Sequence, residues 1–143
     1  MLGVVARADG TYLITKRVMT KAWAPGWWEV SGGAAQAGES SEEAVCREVR
    51  EETGLTIENP LLCGVYHWIK SGVHHVIFLY KANRFSGTLR SSEEGNVYWI
   101  PLNEFKEKEL ATGMEYVLQM MESCQVNECY MRLEDGKYIG SLY

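Results

Sequence analysis

The sequence predicts one mixed α/β domain over residues 1–143, and three observations carry that expectation. Short apolar runs rich in β-branched and aromatic residues recur along the chain. Two further segments have helical spacing, and no repeat, linker or low-complexity stretch separates any of these elements. The length suits a single ordinary domain, and a hydrophobic content of 46% is enough for a sizeable core.

Taken in order, Val4–Ala6 and Tyr12–Lys16 read as two strands joined by the Ala8-Asp9-Gly10 turn, since Asp-Gly is a strong hairpin signal. Residues 18–33 read as a loop rich in Trp and Gly. A helix is expected from about Ser41 to Thr53. Ser40 caps it, Glu43 completes a capping box, and Gly54 stands where a left-handed residue ends a helix. Leu61–Trp68 and Val73–Tyr80 read as paired strands about a Gly72 turn. Residues 83–96 form a polar loop before the strand Val97–Ile100, which Pro101 follows. A second helix is expected from near Asn103, with apolar spacing at Leu110, Met114, Val117, Leu118 and Met121. Tyr130 to Tyr143 reads as a small hairpin about Glu134-Asp135-Gly136.

A net charge of −5 gives no electrostatic footprint for a nucleic-acid backbone. An acidic chain that handles phosphate needs local neutralisation, from a divalent cation or from placed Lys and Arg. No charged leader precedes an apolar core at the N-terminus, and no run approaches the ~18 apolar residues that cross a bilayer, so a cytoplasmic location is expected. Cys46, Cys63, Cys124 and Cys129 are scattered without a C-x-x-C pair and read as reduced thiols.

The segment from Gly33 to Leu55 carries the chemistry. At 100° per residue, Glu48, Glu51 and Glu52 fall within one helical stripe, with Val45, Val49 and Thr53 to one side facing the core. Like charges three and four apart repel, and crowding them at the rim of a core costs more unless a cation sits among them. Carboxylate oxygens without His or Cys select hard ions, Mg²⁺ or its substitute Mn²⁺. Arg47 adjoins the set and is suited to a bidentate carboxylate pair. Gly33, beside Gly32, lets backbone groups approach an ion or phosphate without a Cβ in the way. Glu42, Glu43 and Arg50 read as an ordinary solvated helix face.

These residues resemble the Nudix box, G-x5-E-x7-R-E-U-x-E-E-x-G-U with U aliphatic. Gly33, Glu39, Arg47, Glu48, Val49, Glu51, Glu52, Gly54 and Leu55 meet every fixed position. The resemblance implies an α/β/α sandwich around a mixed sheet, and a Mg²⁺-dependent hydrolase of a nucleoside diphosphate linked to another moiety. It implies metal ligation by Glu48, Glu51 and Glu52, often with the Gly33 carbonyl. Glu39 would support the site and Arg47 would position the helix carboxylates. The general base is left open among Glu48, Glu52 and Glu94, the last on the loop before residues 97–100, where several family members carry a catalytic glutamate.

Substrate marks are sparse. The proline that ADP-ribose enzymes often carry past the box, and the tyrosine of diadenosine polyphosphate enzymes, are both missing from the expected positions. Trp23 and Trp27 are candidates to stack on a base or to pack the loop onto the sheet, whereas Trp28 reads as core. Lys16 and Arg17 are candidates for phosphate contact, with Gly32 and Glu39 also placed on the substrate side. His67, His74 and His75 read as structural. The partner expected is a small nucleoside diphosphate derivative, with no nucleic acid or membrane; a homodimer is left open. Trp23-Ala-Pro-Gly-Trp27 before a Gly-Gly box also resembles isopentenyl diphosphate isomerases. Their cysteine position is Ser31 here, and a serine hydroxyl is far too weak an acid to replace it. A non-catalytic nucleotide sensor is the third reading, against which the intact box argues.

Overall fold

The computed structural model describes residues 1–123 and 125–143; the thiol expected at Cys124 lies outside the described residues. Three sheets lie between helices. The largest holds six strands in the order β11-β10-β6-β7-β1-β4: β1 is Leu2–Val5, β4 Ser31–Gly32, β6 Leu61–Lys70, β7 Val73–Ala82, β10 Glu128–Glu134 and β11 Lys137–Leu142. It is mixed, because β1 runs parallel to β7 and β10 parallel to β6 while the other pairs are antiparallel. A second sheet holds β3 (Trp28–Glu29), β2 (Thr11–Arg17) and β9 (Gly95–Pro101). The third pairs β5 (Leu55–Glu58) with β8 (Arg84–Gly87).

Helix α1, Ser41–Thr53, begins and ends as its sequence dictates. Ser40 Oγ accepts from the Glu43 N–H at 3.2 Å, and the Glu43 carboxylate accepts from the Ser40 N–H at 2.8 Å. Gly54 takes φ 78° and donates its N–H to the Arg50 carbonyl. Such a cap contributes about 1 kcal/mol. The helix buries Ala44, Val45, Val49 and Thr53, and packs Val45 and Val49 with Val5, Leu13, Leu55, Tyr80 and Ala82. On the other side of the sheets, α2 (Leu102–Lys106) and α3 (Met114–Glu122) bury Phe105, Met114, Val117, Leu118, Met120 and Met121 against Ile14, Tyr66, Leu79, Ile100, Cys129 and Met131. Each of these side chains contributes roughly 1.5–3 kcal/mol on burial, so apolar packing on both faces fixes the layers.

Four expectations need correction. The first two strands do not form a hairpin within one sheet. The turn exists, with Arg7 donating to the Thr11 carbonyl, but only Ala6 bridges Tyr12 before the strands part. Val4, Val5 and Ala6 are buried in succession, the pattern of a central strand covered on both faces, so β1 pairs with β7 and β4 instead. The loops expected at 18–33 and 83–96 contain the short strands β3, β4 and β8. Strand β5, unforeseen, alternates buried and exposed residues. The helix expected from Asn103 is two helices, because Gly113 takes φ +86°, and a Cβ there would lie 2.1 Å from the Tyr66 hydroxyl. Leu110 therefore bridges to Trp28 rather than sitting on a helix.

The terminal hairpin forms and joins the large sheet through β10 and β6. Cys46, Cys63 and Cys129 are free thiols. His67 meets His74 at 2.8 Å and Glu128 at 2.9 Å, and His75 stacks on Trp68, which ties these imidazoles to the sheet. Among the described residues no helix is long and apolar enough to cross a membrane.

Candidate active site

The α1 carboxylates face a cavity of about 440 Å³ lined by Gly32, Gly33, Glu48, Glu51, Glu52, Ser92, Glu93 and Glu94. Helix spacing supplies the first three glutamates, the end of β4 supplies the glycines, and the loop between β8 and β9 brings residues 92–94 to the opposite rim. A Cβ at Gly33 would lie 2.5 Å from the Glu48 carboxylate, so only glycine lets the backbone come this close to the acid. The Gly33 carbonyl accepts from the Met1 amino nitrogen at 2.5 Å.

Arg47 holds this cluster together. Its Nε and Nη2 donate to the two oxygens of Glu39 at 2.6 and 3.0 Å. Nη1 donates to Glu48 at 2.8 Å and Glu51 at 3.1 Å, and Nη2 also reaches the Ala34 carbonyl at 3.1 Å. All five N–H donors of the guanidinium are thus committed to protein acceptors, and the residue orients carboxylates rather than meeting a ligand. The Arg47 hydrogen bonds hold Glu39 down to about 2. Glu39 itself does not line the cavity.

Glu52 is perturbed in the opposite direction. Burial pushes its pKa up to about 7, the charges of Glu48 and Glu29 add to that, and hydrogen bonds from the Gly32 N–H (3.2 Å) and Ser31 hydroxyl oppose it. Glu94 pairs with Lys21, while its carbonyl accepts from the Val18 N–H at 3.2 Å, so the Trp-rich loop is tied to the rim. Among the described residues no three acidic side chains already converge on one point. Each is turned to a protein partner: Glu48 and Glu51 to Arg47, Glu52 to Gly32, Glu94 to Lys21.

The donor set nonetheless fits a hard divalent ion, being carboxylate oxygens and one glycine carbonyl with no His or Cys lining the cavity. Glu48, Glu51, Glu52 and the Gly33 carbonyl are the groups able to hold it. The cavity lining contains no Lys or Arg, so excess negative charge accumulates there, and a cation relieves it.

A second cavity, of about 500 Å³, is largely apolar. Its walls include Trp23, Tyr66, Trp68, His75, Met131 and Tyr138, and Glu29 also lines it. Burial raises the Glu29 pKa although Arg17 pairs with it at 2.5 Å; the Glu94 charge raises it further. Glu29 thus interacts with acids of the first cavity while lining the second.

The candidate residues divide accordingly. Gly32, Gly33, Glu48, Glu51, Glu52 and Glu94 come together in the acidic cavity. Trp23 lines the apolar one. Arg17 does not present a free cation, because it pairs with Glu29, donates to the Trp23 carbonyl and lies 4.9 Å from the Trp23 ring centre. Trp27 lines neither of these cavities; its backbone holds the loop through Arg17 and Ala24. Trp28 is half-buried at the core edge, its ring tilted at 47° against that of Tyr98 with centroids 5.6 Å apart. Sequence reading missed Glu29, Glu93 and the aromatic wall. Glu29 adjoins the box at the end of the Trp-rich loop, a signal that was available; Tyr66 and Tyr138 carry no local signal.

Comparison with known proteins agrees with this geometry. A family model described as NUDIX domain matches residues 1–121. The chain is 39% identical to the uncharacterized Nudix hydrolase YvcI of Bacillus subtilis over 67% of this chain and 65% of that protein, so the match spans just under two thirds of that relative. It is 32% identical to a MutT-like protein of Streptomyces ambofaciens over 96% of this chain and 83% of the relative. Among solved structures, a mutator MutT protein from Bacillus halodurans superposes with a TM-score of 0.83 at 27% identity, covering 99% of this chain and 94% of the other.

Proposed function

This chain belongs to the Nudix hydrolase family, and from that premise we propose that it cuts the diphosphate linkage of a nucleoside diphosphate joined to another moiety, using Mg²⁺. The observation that carries this reading is the acidic cavity. Five glutamates line it with no compensating cation in the lining, which is the electrostatics of a site built for a hard ion and the phosphates that ion brings. Glu48, Glu51, Glu52 and the Gly33 carbonyl would hold the ion. When bound, Mg²⁺ neutralises phosphoryl oxygens and makes an attacking water more acidic.

The chain's own residues do the rest. Arg47 holds Glu48 and Glu51 from behind, so both carboxylates stay available at the rim without collapsing into solvent. Glu52, held near neutrality, loses its proton as a divalent charge arrives, and that loss ties binding to pH. Glu94 stands across the cavity from α1 and is the group we assign as general base, accepting the proton of the water that attacks phosphorus in line. Glu39 acts through Arg47 as a positioning residue. The organic half of the substrate has an adjoining place to sit, the apolar cavity that Trp23 and Glu29 line.

Formation of a nucleoside monophosphate together with the second phosphorylated fragment, followed by chromatography with Mg²⁺ over a panel of nucleoside triphosphates, nucleotide sugars and dinucleotides, tests the proposal. Run in ¹⁸O water, the reaction should place the label on phosphorus in one of the two fragments. Absence of cleavage across the panel, or cleavage that persists when divalent ions are chelated, would overturn it. An isomerase would convert isopentenyl diphosphate without cutting its diphosphate, and a sensor would bind without turnover.

A further inference from the structure

The matched family domain ends at residue 121, and β10, which follows it, completes a cluster of ligand-type side chains that lines neither cavity. In the β6–β7 ladder Ile69 stands opposite His74 and His67 opposite Val76. His67 and His74 are therefore diagonal neighbours on one face of the sheet, and their rings converge, with Nδ1 of His67 2.8 Å from Nε2 of His74. Ile69 and Val76 on that face are 51% and 46% exposed, so this part of it is open to solvent. Strand β10 runs parallel to β6 with Tyr130 opposite His67, and its ring stacks on the imidazole at 4.7 Å between centroids. Glu128, two residues earlier, accepts from Nε2 of His67 at 2.9 Å.

Those contacts decide which nitrogen is left to act. A carboxylate only accepts, so Nε2 of His67 carries the hydrogen and Nδ1 of the neutral ring presents its lone pair to His74. A carboxylate behind one ring nitrogen and a lone pair on the other is how metal-bound histidines are held, since the carboxylate fixes the tautomer and makes the ring more basic. The His67 side chain is only 15% exposed and clamped by Tyr130, so this ligand is oriented in advance. His74 is exposed and directly follows Val73, the first residue of β7 after the Ser71-Gly72 turn, so its ring has room to move. Two nitrogens on one tetrahedral ion stand about 3.3 Å apart, so the rings need to part by only about 0.5 Å. Among the described residues no three His, Cys, Asp or Glu side chains form such a group, so water would complete the coordination.

We propose that His67 and His74 form a cation site separate from the acidic cavity, which takes a borderline divalent ion such as Zn²⁺, Ni²⁺ or Cu²⁺ across β6 and β7, with Glu128 holding His67 in its ligating tautomer. The ligand chemistry decides the class. Imidazole nitrogen suits these ions, whereas Mg²⁺ and Ca²⁺ are taken by oxygen. The acidic cavity offers oxygen alone, so the chain sorts two kinds of cation by ligand type. Arg132, the cation that follows on β10, lies over the Tyr130 ring at 4.5 Å and donates to Ser141 and Tyr143, so it is committed to other partners. Because Glu128 belongs to β10, an ion on the two imidazoles also braces the terminal strand pair against β6 and β7. An ion that binds only the folded chain raises its stability.

The test titrates Zn²⁺ into the full chain by calorimetry with Mg²⁺ in large excess, so that oxygen sites are already filled, and circular dichroism reports the fold. His74→Gln should weaken Zn²⁺ binding at least ten-fold, and His74→Cys, which puts back a zinc ligand, should recover most of the loss. Glu128→Ala should weaken it about ten-fold through the loss of the tautomer lock. Glu51→Gln should leave it unchanged. Zn²⁺ should raise the Tm of the unaltered chain and not that of His74→Gln, a difference that a purely structural hydrogen bond between the rings would not produce. Cu²⁺ on the unaltered chain should show nitrogen splitting in its electron paramagnetic resonance spectrum, reduced in His74→Gln. Zn²⁺ binding that is equal in the unaltered chain and folded His74→Gln overturns the proposal, as does binding lost in Glu51→Gln and kept in His74→Gln, or no Zn²⁺ binding at all.

Discussion

The acidic and apolar cavities are neighbours built in opposite ways. Five of the eight residues lining the acidic cavity come from the twenty-one positions between Gly32 and Glu52, and the rest are three consecutive loop residues. The apolar cavity collects its walls from β1, β3, β6, β7, α3, β10 and β11 and the connections between them. Chemistry is thus encoded locally, by helix spacing and one close glycine, whereas selection depends on how distant segments meet. Variants of the acidic cavity should therefore abolish turnover for every substrate alike, and variants of the apolar cavity should reorder substrates.

The largest effect expected is that of Glu51→Gln. Its side chain is 56% exposed and paired with Arg47, so the fold and the nucleoside affinity should be untouched. Removing one metal carboxylate should lower kcat about 10²- to 10⁴-fold with every substrate in a panel. A loss confined to some substrates would break the division between the two cavities, and full turnover with ordinary metal affinity would remove Glu51 from the ligand set.

Glu94→Gln should come next. If Glu94 takes the proton of the attacking water, kcat should fall about 10²-fold while KM hardly moves. An unchanged kcat returns the role of base to Glu52 or Glu48.

The acidic cavity was legible because its geometry is periodic. Residues three and four apart on one capped helix must share a face, and Glu48, Glu51, Glu52, the Ser40 cap and Gly54 all follow from that rule. Glu94 came from the family resemblance, and the structure puts it on the same cavity. The rest was hidden for a physical reason. Tyr66, Gly113 and Tyr138 meet only through strand pairing and a helix break, and no local pattern states which strands pair. The same gap produced the false hairpin: the Asp9-Gly10 turn was readable, but the competing parallel partner of β1 lies more than seventy residues away.

Glu52 sharpens the comparison through pH. Its pKa in the folded chain is raised to about 7, above the ordinary value near 4.5, so the folded protein binds a proton that the unfolded chain has lost. That contribution to stability is fully present below about pH 4.5 and is lost as pH rises through 7. Without metal, Glu52→Gln should therefore raise Tm relative to the unaltered chain at pH 8 and barely change it at pH 4.5. The gain at pH 8 should be roughly 2 kcal/mol, a figure discounted for partial solvation. Mg²⁺ binding followed by calorimetry should weaken as pH falls below about 7, because the proton competes for the same oxygens. A metal affinity flat between pH 6 and 8 would show that Glu52 is not a ligand.

The smallest effect expected concerns Lys21, whose ammonium pairs with Glu94 at the rim where both are partly solvated, with side-chain exposures of 31% and 49%. Such pairs contribute 0–1 kcal/mol, so Lys21→Met should leave Tm within about one degree. It is, however, a cation beside a cavity lined by carboxylates and small residues, and an incoming phosphate offers it a stronger partner than one exposed carboxylate. Lys21→Met should lower kcat/KM two- to five-fold, and Lys21→Arg should restore most of the loss. The dependence of kcat/KM on salt should flatten in the Met variant, since screening has one less attraction to weaken. A faster Met variant would mean that Lys21 masks Glu94 rather than meeting phosphate, and the rim of the acidic cavity would then be inhibitory.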